Sequence, residues 1–222
     1  TAIPKLLELL EIEGCIVTID AMGCQKKIVE KIVEKGADYV LSLKGNQGTM
    51  HQEVREFWQW AQKENFKDVQ HDFYETVDKE HGRLEIRRTW CSSDIDWLQR
   101  DNRWQKLTSV AMVESERTVA NRTTIEQRFF IGSIPGNNAQ TWAETVRTHW
   151  AVENCLHWVL DVSFREDESR VRKDHAPENL AVVRHIALNL LKQESSGKGG
   201  IKGKRLMAGW DDTYLIKVLG IL

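Results

Sequence analysis

The sequence lacks the long apolar run that a membrane helix requires. No stretch approaches the roughly 20 consecutive apolar residues needed to cross a bilayer, and no basic segment followed by an apolar one opens the chain. We therefore expect a cytoplasmic protein that neither spans a membrane nor carries a recognisable export signal.

Cysteine is also sparse, and no charge of one sign dominates. The four cysteines are scattered and form no CxxC pair, which favours reduced thiols over a disulfide framework or a zinc cluster. The formal net charge of -2 gives no overall attraction to nucleic acid. Any contact with DNA must therefore come from local basic patches.

The first third of the chain has the pattern of a strand, a helix and a second strand. Residues 15–19 form a short β-branched run, residues 25–35 carry an apolar helical stripe, and residues 39–43 are again strand-like. A unit of this kind implies two parallel strands. Asp20 and Lys44 follow these strands directly, at the carboxyl ends where ligands and catalytic groups collect in open α/β sheets.

The whole chain divides into four segments of different character. An α/β core begins at residues 1–65, a β-rich insertion follows at residues 66–134, helices occupy residues 135–194, and a basic linker with a last helix closes the chain at 195–222. The first residues have the apolar pattern of a helix from Thr1 onward, with no preceding start signal, so we expect the chain to begin partway through a larger protein.

A long helix predicted over residues 139–160 carries three polar side chains at four-residue spacing. His149, Glu153 and His157 therefore project from one face. One interpretation is that Glu153 and Asp20 converge and share divalent cations for phosphoryl transfer. The alternatives are a solvated helix face for the first three and a turn or helix-capping role for Asp20. Zinc is disfavoured, because the HExxH spacing and a cysteine cluster are both absent.

A predicted hairpin carries basic groups at its turn and along its second strand. His81 and Arg83 flank Gly82, and Arg87 lies further along the strand. Such a ribbon suits a phosphate backbone. An exposed hairpin with ordinary surface charges is the alternative interpretation.

Four segments together resemble the insertion-sequence transposases of the H-repeat-associated, Rhs-linked group, also called the ISAs type, which are DDE transposases. The resemblance is distributed over most of the chain, in the order VTIDAMGCQ, YVLSLKGNQ, HGRLEIR and THWAVENCLHWVLDVSFRED. It implies a ribonuclease-H-like α/β core with a β-rich insertion and C-terminal helices. It also implies a triad of two Asp and one Glu that binds two Mg²⁺ ions, in which Asp20 corresponds to the second acidic residue and Glu153 to the third.

The same resemblance implies DNA as the partner, both as transposon inverted-repeat ends and as target, with a homo-oligomer assembled on it and a nucleoid location when bound. The side chains expected near DNA are Lys44, His81, Arg83, Arg87, His149, Asn154 and His157. The first Asp of the triad and the first strands of the core belong to a segment before Thr1. We therefore expect this chain to be an inactive fragment of a DNA-cleaving and strand-transferring enzyme. A non-catalytic DNA-binding remnant and a decayed gene product are the competing hypotheses.

Overall fold

A six-stranded mixed sheet organises the first part of the chain. The computed structural model describes residues 2–80, 82–98, 104–120 and 122–220. Their contacts divide the protein into two units, one ending at His149 and one starting at Trp150. Among the described residues, no helix combines the length and the apolar character needed to cross a membrane.

In the described part of the chain, the first unit contains six strands and four α-helices. The helices are α1 (Ala2–Leu9), α2 (Lys26–Glu34), α3 (Gly48–Lys63) and α4 (Ala139–His149). The strands are β1 (Ile16–Ile19), β2 (Asp38–Leu43), β3 (Asp72–Glu80), β4 (Arg83–Ser92), β5 (Ser109–Val119) and β6 (Arg122–Gly132). Short 3₁₀ turns, Ala21–Gly23 and Gly45–Gln47, follow β1 and β2.

The sheet order is β1-β2-β6-β5-β4-β3, and only β1 and β2 are parallel. The parallel pair joined by α2 confirms the strand–helix–strand prediction. The strands of the segment predicted as an insertion continue this sheet, because β6 pairs antiparallel with β2 from Val40 opposite Gly132 to Leu43 opposite Phe129.

Alternation along β2 explains why both faces of the sheet are covered. Tyr39, Leu41 and Leu43 belong to one buried cluster, with side chains of α2 and α3, whereas Val40 belongs to a second, with Trp142 of α4. Successive side chains of a strand point to opposite faces, so a strand buried on both faces is apolar at nearly every position.

The four antiparallel strands are buried at one end and exposed at the other. The last four residues of β4 and the first five of β5 are buried, whereas the rest of each strand is only partly buried or exposed. The outer halves of β3 to β6 therefore form an extension of the sheet with polar and charged side chains on both faces.

The second unit is helical. It contains α5 (Trp158–Phe164), α6 (Ala176–Gln193), α7 (Ile201–Trp210) and α8 (Asp212–Val218). A small core of Leu191, Tyr214 and Val218 holds these helices, with Ile201 and Met207 of α7 packed against it. The basic linker predicted at the start of residues 195–222 is short, because α7 begins at Ile201 and its packing outweighs the low helix propensity of the glycines.

The single long helix predicted over residues 139–160 was also wrong. The α-helix α4 ends at His149, Trp150 lies in a turn, and residues Glu153–His157 form a π-helical segment before α5. A π turn inserts one extra residue per turn and rotates the side chains that follow, which a period of 3.6 residues does not anticipate.

Candidate active site

Asp20 lies at the carboxyl end of the parallel strand β1 and is exposed. Its Oδ1 accepts a hydrogen bond of 3.1 Å from the backbone N–H of Met22, so the side chain caps the 3₁₀ turn Ala21–Gly23. The capping role that the sequence offered as an alternative is therefore real. It leaves Oδ2 without a hydrogen bond to any described residue, and a carboxylate with one free oxygen is still able to bind a cation.

The loop after β2 holds the turn that follows Asp20. The side-chain amide of Asn46 donates to the carbonyl of Ala21, and that of Gln47 donates to the carbonyl of Cys24 over 2.8 Å. Lys44, exposed at the end of β2, begins this loop. The predicted placement of Asp20 and Lys44 at the same edge of the sheet is confirmed by the parallel register of β1 and β2.

Two small residues pack the turn tightly against β1. A Cβ added to Gly23 would lie 2.2 Å from Cγ2 of Ile19, so any larger residue would force Ile19 or the turn to shift. Cys24 is fully buried, and burial raises the pKa of its thiol to about 12. This cysteine is therefore a neutral packing residue and not a nucleophile.

His149 connects the end of α4 to the same strand. Its Nδ1 lies 3.0 Å from Oγ1 of Thr18, which precedes Asp20 by two residues on β1. The contact fixes the position of the last residue of α4, and Glu153 follows four residues later in the sequence.

In the second unit, Glu153 opens the π-helical segment. Its Oε2 lies 3.1 Å from Nδ1 of His157, and both side chains are more than half exposed, at 55% and 56%. Asn154 is exposed beside them, with its backbone N–H bonded to the carbonyl of Trp150. Single π turns inside helices occur frequently at functional sites.

The predicted DNA-facing arginines of the hairpin have acidic partners. Arg87 bonds Asp78 at 3.2 Å and also pairs with Glu85. Arg83 is 43% exposed and has a longer contact of 3.4 Å with Glu85. His81, the third predicted contact in this hairpin, lies outside the described residues.

Comparison with known proteins identifies the family. The model of the family described as "Transposase DDE domain" matches residues 1–190. The chain belongs to the DDE transposase family. The resemblance seen in its sequence segments is thereby confirmed, and the family implies a ribonuclease-H-like fold, consistent with the mixed sheet flanked by helices.

Several curated relatives match almost the whole of this transposase chain. The "H repeat-associated putative transposase YhhI" of Escherichia coli strain K12 is 38% identical over 99% of the chain and 58% of its own length. The "Putative transposase YncI" of Escherichia coli O157:H7 is 36% identical over 99% of the chain and 56% of its own length. The chain therefore spans somewhat more than half the length of these relatives.

Each of the two units of this transposase chain carries an exposed carboxylate, the type of donor that a hard cation prefers. Among residues 2–80, 82–98, 104–120 and 122–220, no group of three or more His, Cys, Asp or Glu side chains is arranged to hold a metal ion. Mg²⁺ does not require such a cage, because it is usually held by one or two carboxylates together with water and substrate phosphates. In the first unit the exposed carboxylate of Asp20 fits that preference, and in the second unit the exposed carboxylate of Glu153 does so separately.

Two arginines that the sequence analysis missed share a face of the sheet with Arg83. Arg117 of β5 and Arg122 of β6 are exposed, and neither has an ion pair or side-chain hydrogen bond to a described residue. In the strand register Val119 stands opposite both Arg83 and Arg122, and Arg117 is two residues from Val119 on the same face. The sequence does not predict which arginines at the hairpin ends lack an acidic partner, because cross-strand partners depend on the register of the strands.

Proposed function

We propose that this chain is part of a transposase that cuts DNA at the ends of a mobile element and joins those ends to target DNA, with Mg²⁺ as cofactor. The observation that carries the proposal is the exposed carboxylate of Asp20 at the carboxyl end of a parallel strand, in a chain of the DDE transposase family. Asp20 is assigned as the second acidic residue of the triad and Glu153 as the third.

The carboxylates of Asp20 and Glu153 are oriented by different hydrogen bonds. Asp20 is fixed through one oxygen by the N–H of Met22, and the other oxygen is available for a cation. Glu153 has His157 as its hydrogen-bond partner, so the imidazole orients the carboxylate in the absence of a cation. When bound, two Mg²⁺ ions supply Lewis-acid activation of the attacking hydroxyl and stabilisation of the leaving oxygen.

His149 contributes by holding the end of α4 within the first unit. Its hydrogen bond to Thr18 secures the end of α4 on the strand that ends at Asp20. This contact supports a role in positioning, in addition to the DNA-facing role expected from the sequence. Asn154 and His157 are exposed next to Glu153 and remain proposed DNA contacts.

DNA is proposed to lie against the face of the sheet extension that carries Arg83, Arg117 and Arg122. Arg117 and Arg122 are exposed without a partner among the described residues and are therefore available to neutralise phosphates, whereas Arg83 has a longer contact of 3.4 Å with Glu85. Such phosphate contacts supply most of the affinity of proteins for the DNA backbone. Arg87, proposed from the sequence, contributes less because Asp78 and Glu85 already neutralise it. Lys44 adds a positive charge at the edge that carries Asp20.

The test is metal-dependent cleavage of duplexes bearing the inverted repeats of the element. In the whole protein we expect Asp20→Asn and Glu153→Gln each to abolish nicking in Mg²⁺ while DNA binding is retained. Glu178→Gln, which changes an exposed glutamate of α6, is the matched control and keeps activity. Nicking by the Glu153→Gln variant would refute the assignment of that residue.

The same experiment separates the proposal from a non-catalytic DNA-binding role. Salt-sensitive binding to the inverted repeats without any nicking by the wild-type protein favours a remnant that occupies transposon ends. The proposed homo-oligomer on DNA is checked by light scattering of the DNA complex. A mass corresponding to one copy per DNA end pair would contradict it.

A further inference from the structure

The turn that follows Asp20 is tied to the neighbouring loop through its backbone carbonyls. Asn46 donates to the carbonyl of Ala21, Gln25 donates to that of Met22 over 3.0 Å, and Gln47 donates to that of Cys24 over 2.8 Å. Three of the four carbonyls in the segment from residue 21 to residue 24 therefore accept a side-chain amide. Two of those amides come from the loop after β2, some 23 to 25 residues away in sequence.

One peptide group connects Asn46 to Asp20. The carbonyl of Ala21 and the N–H of Met22 belong to the same planar unit. Asn46 donates to the oxygen of this unit, and the N–H at its other side donates to Oδ1 of Asp20. Rotation of the unit would disturb both hydrogen bonds together. The two bonds also polarise the peptide in the same sense, so each strengthens the other.

No other contact between described residues fixes the Asp20 carboxylate. The side chain is exposed, has no ion pair and makes only the hydrogen bond to Met22. Its strand β1 is at the edge of the sheet, paired only with β2. The orientation of the carboxylate therefore depends on the orientation of the Ala21–Met22 peptide.

We infer that Asn46 is a positioning residue for Asp20, acting through the Ala21–Met22 peptide, and that Gln47 supports it by holding the same turn at Cys24. The inference rests on the proposed function, in which Asp20 binds the cation. Outer hydrogen bonds that orient a metal ligand are commonly worth about 10- to 100-fold in metal affinity. Loss of the Asn46 amide is expected to weaken cation binding at Asp20 by at least roughly 10-fold.

The experiment uses Mn²⁺ as a paramagnetic probe of the intact chain. Titration with Mn²⁺ broadens the backbone amide signals of residues close to the bound ion, and the signals of Met22 and Gly23 report on Asp20. For Asn46→Ala and Gln47→Ala we expect the half-saturating Mn²⁺ concentration to rise, most in the first. Gln52→Ala, which removes a side-chain amide that bonds Glu56 on α3, is the matched control and leaves the titration unchanged.

Thermal unfolding separates positioning from a purely structural role. If Asn46 only stabilised the fold, Asn46→Ala would lower the melting temperature while leaving the Mn²⁺ titration as in the wild type, and the inference would be overturned. The Asp20→Asn variant separates the proposed metal ligand from the proposed positioning role. Broadening that survives Asp20→Asn shows that the proposed metal ligand is wrong, whereas broadening that is lost there and unchanged in Asn46→Ala shows that the positioning role alone is wrong.

Discussion

Replacing Arg117 and Arg122 with alanine is expected to weaken DNA binding in a salt-dependent manner. Both side chains are exposed on the face of the sheet extension that carries Arg83, and neither has a partner among the described residues. Their removal leaves no buried carboxylate unpaired. The substitutions should therefore act on DNA binding and leave the stability of the sheet almost unchanged.

The magnitude follows from counterion release. Each phosphate contact adds about 0.9 to the slope of log K against log salt, so each single variant should lower the slope by about 0.9 and the double variant by about 1.8. Near 0.1 M salt the same relation gives roughly eightfold weaker binding for each arginine removed. These values assume one phosphate per guanidinium group.

Fluorescence anisotropy of a labelled duplex, measured between about 50 and 200 mM salt, gives the slope directly. Lys79→Ala is the matched control. Lys79 carries the same charge and is exposed on β3 of the same extension, but its register partner Leu84 places it on the opposite face from Arg83. We expect this control to keep the wild-type slope.

Three outcomes would refute the reasoning. An unchanged slope in the double variant would remove this face from the DNA path. An equal loss of slope in Lys79→Ala would show that the arginines act only through the overall charge of the protein. A change in the unfolding midpoint of either arginine variant would show that the side chains have structural contacts.

Two further predictions concern stability. Gly23→Ala places a Cβ 2.2 Å from Cγ2 of Ile19 and should lower the free energy of unfolding by about 1 to 3 kcal/mol in urea titrations; Gly45→Ala, where nothing lies within 4 Å, is the control. Hydrogen bonds from Ser196 and Tyr214 lower the pKa of Glu194 from 4.5 to about 2. The folded pKa is depressed, so the stabilisation is present above pH 4.5 and is lost as the pH falls toward 2. Urea midpoints at about pH 5 and pH 3 should therefore differ less in Glu194→Gln than in the wild type, and an equal difference would contradict this assignment.

The hydrogen bonds between the loops after β1 and β2 illustrate what sequence patterns do not contain. Asn46 and Gln47 stand in a segment that resembled the family, yet periodicity and composition assign them no role. Their partners, the carbonyls of Ala21 and Cys24, are defined only once the strands pair and bring the loops together. Backbone carbonyls have no sequence signature, so such contacts are invisible before the fold is known.

The ion pairs of the sheet extension likewise could not be predicted from sequence patterns. From sequence, Arg83 and Arg87 were equivalent candidates for phosphate contact. The antiparallel register places Asp78 of β3 beside Arg87, which also pairs with Glu85 two residues earlier on its own strand, and it leaves Arg117 and Arg122 exposed without partners among the described residues. Cross-strand neighbours come from distant parts of the chain, and a register shift of one residue would move every side chain to the other face.

The features that the sequence determined by itself are either local patterns or follow from the resemblance to the family. Apolar runs of limited length, separated by turn residues, specified the parallel β1–α2–β2 unit and therefore placed Asp20 and Lys44 at one edge. The order of four motifs specified the family, which the match over residues 1–190 confirms. The tertiary structure alone decided the ending of α4 at His149, the π turn at Glu153 and the cross-strand contact of Arg87 with Asp78. These features depend on contacts between residues far apart in the chain, whose free energies are set by packing and register and not by local propensity.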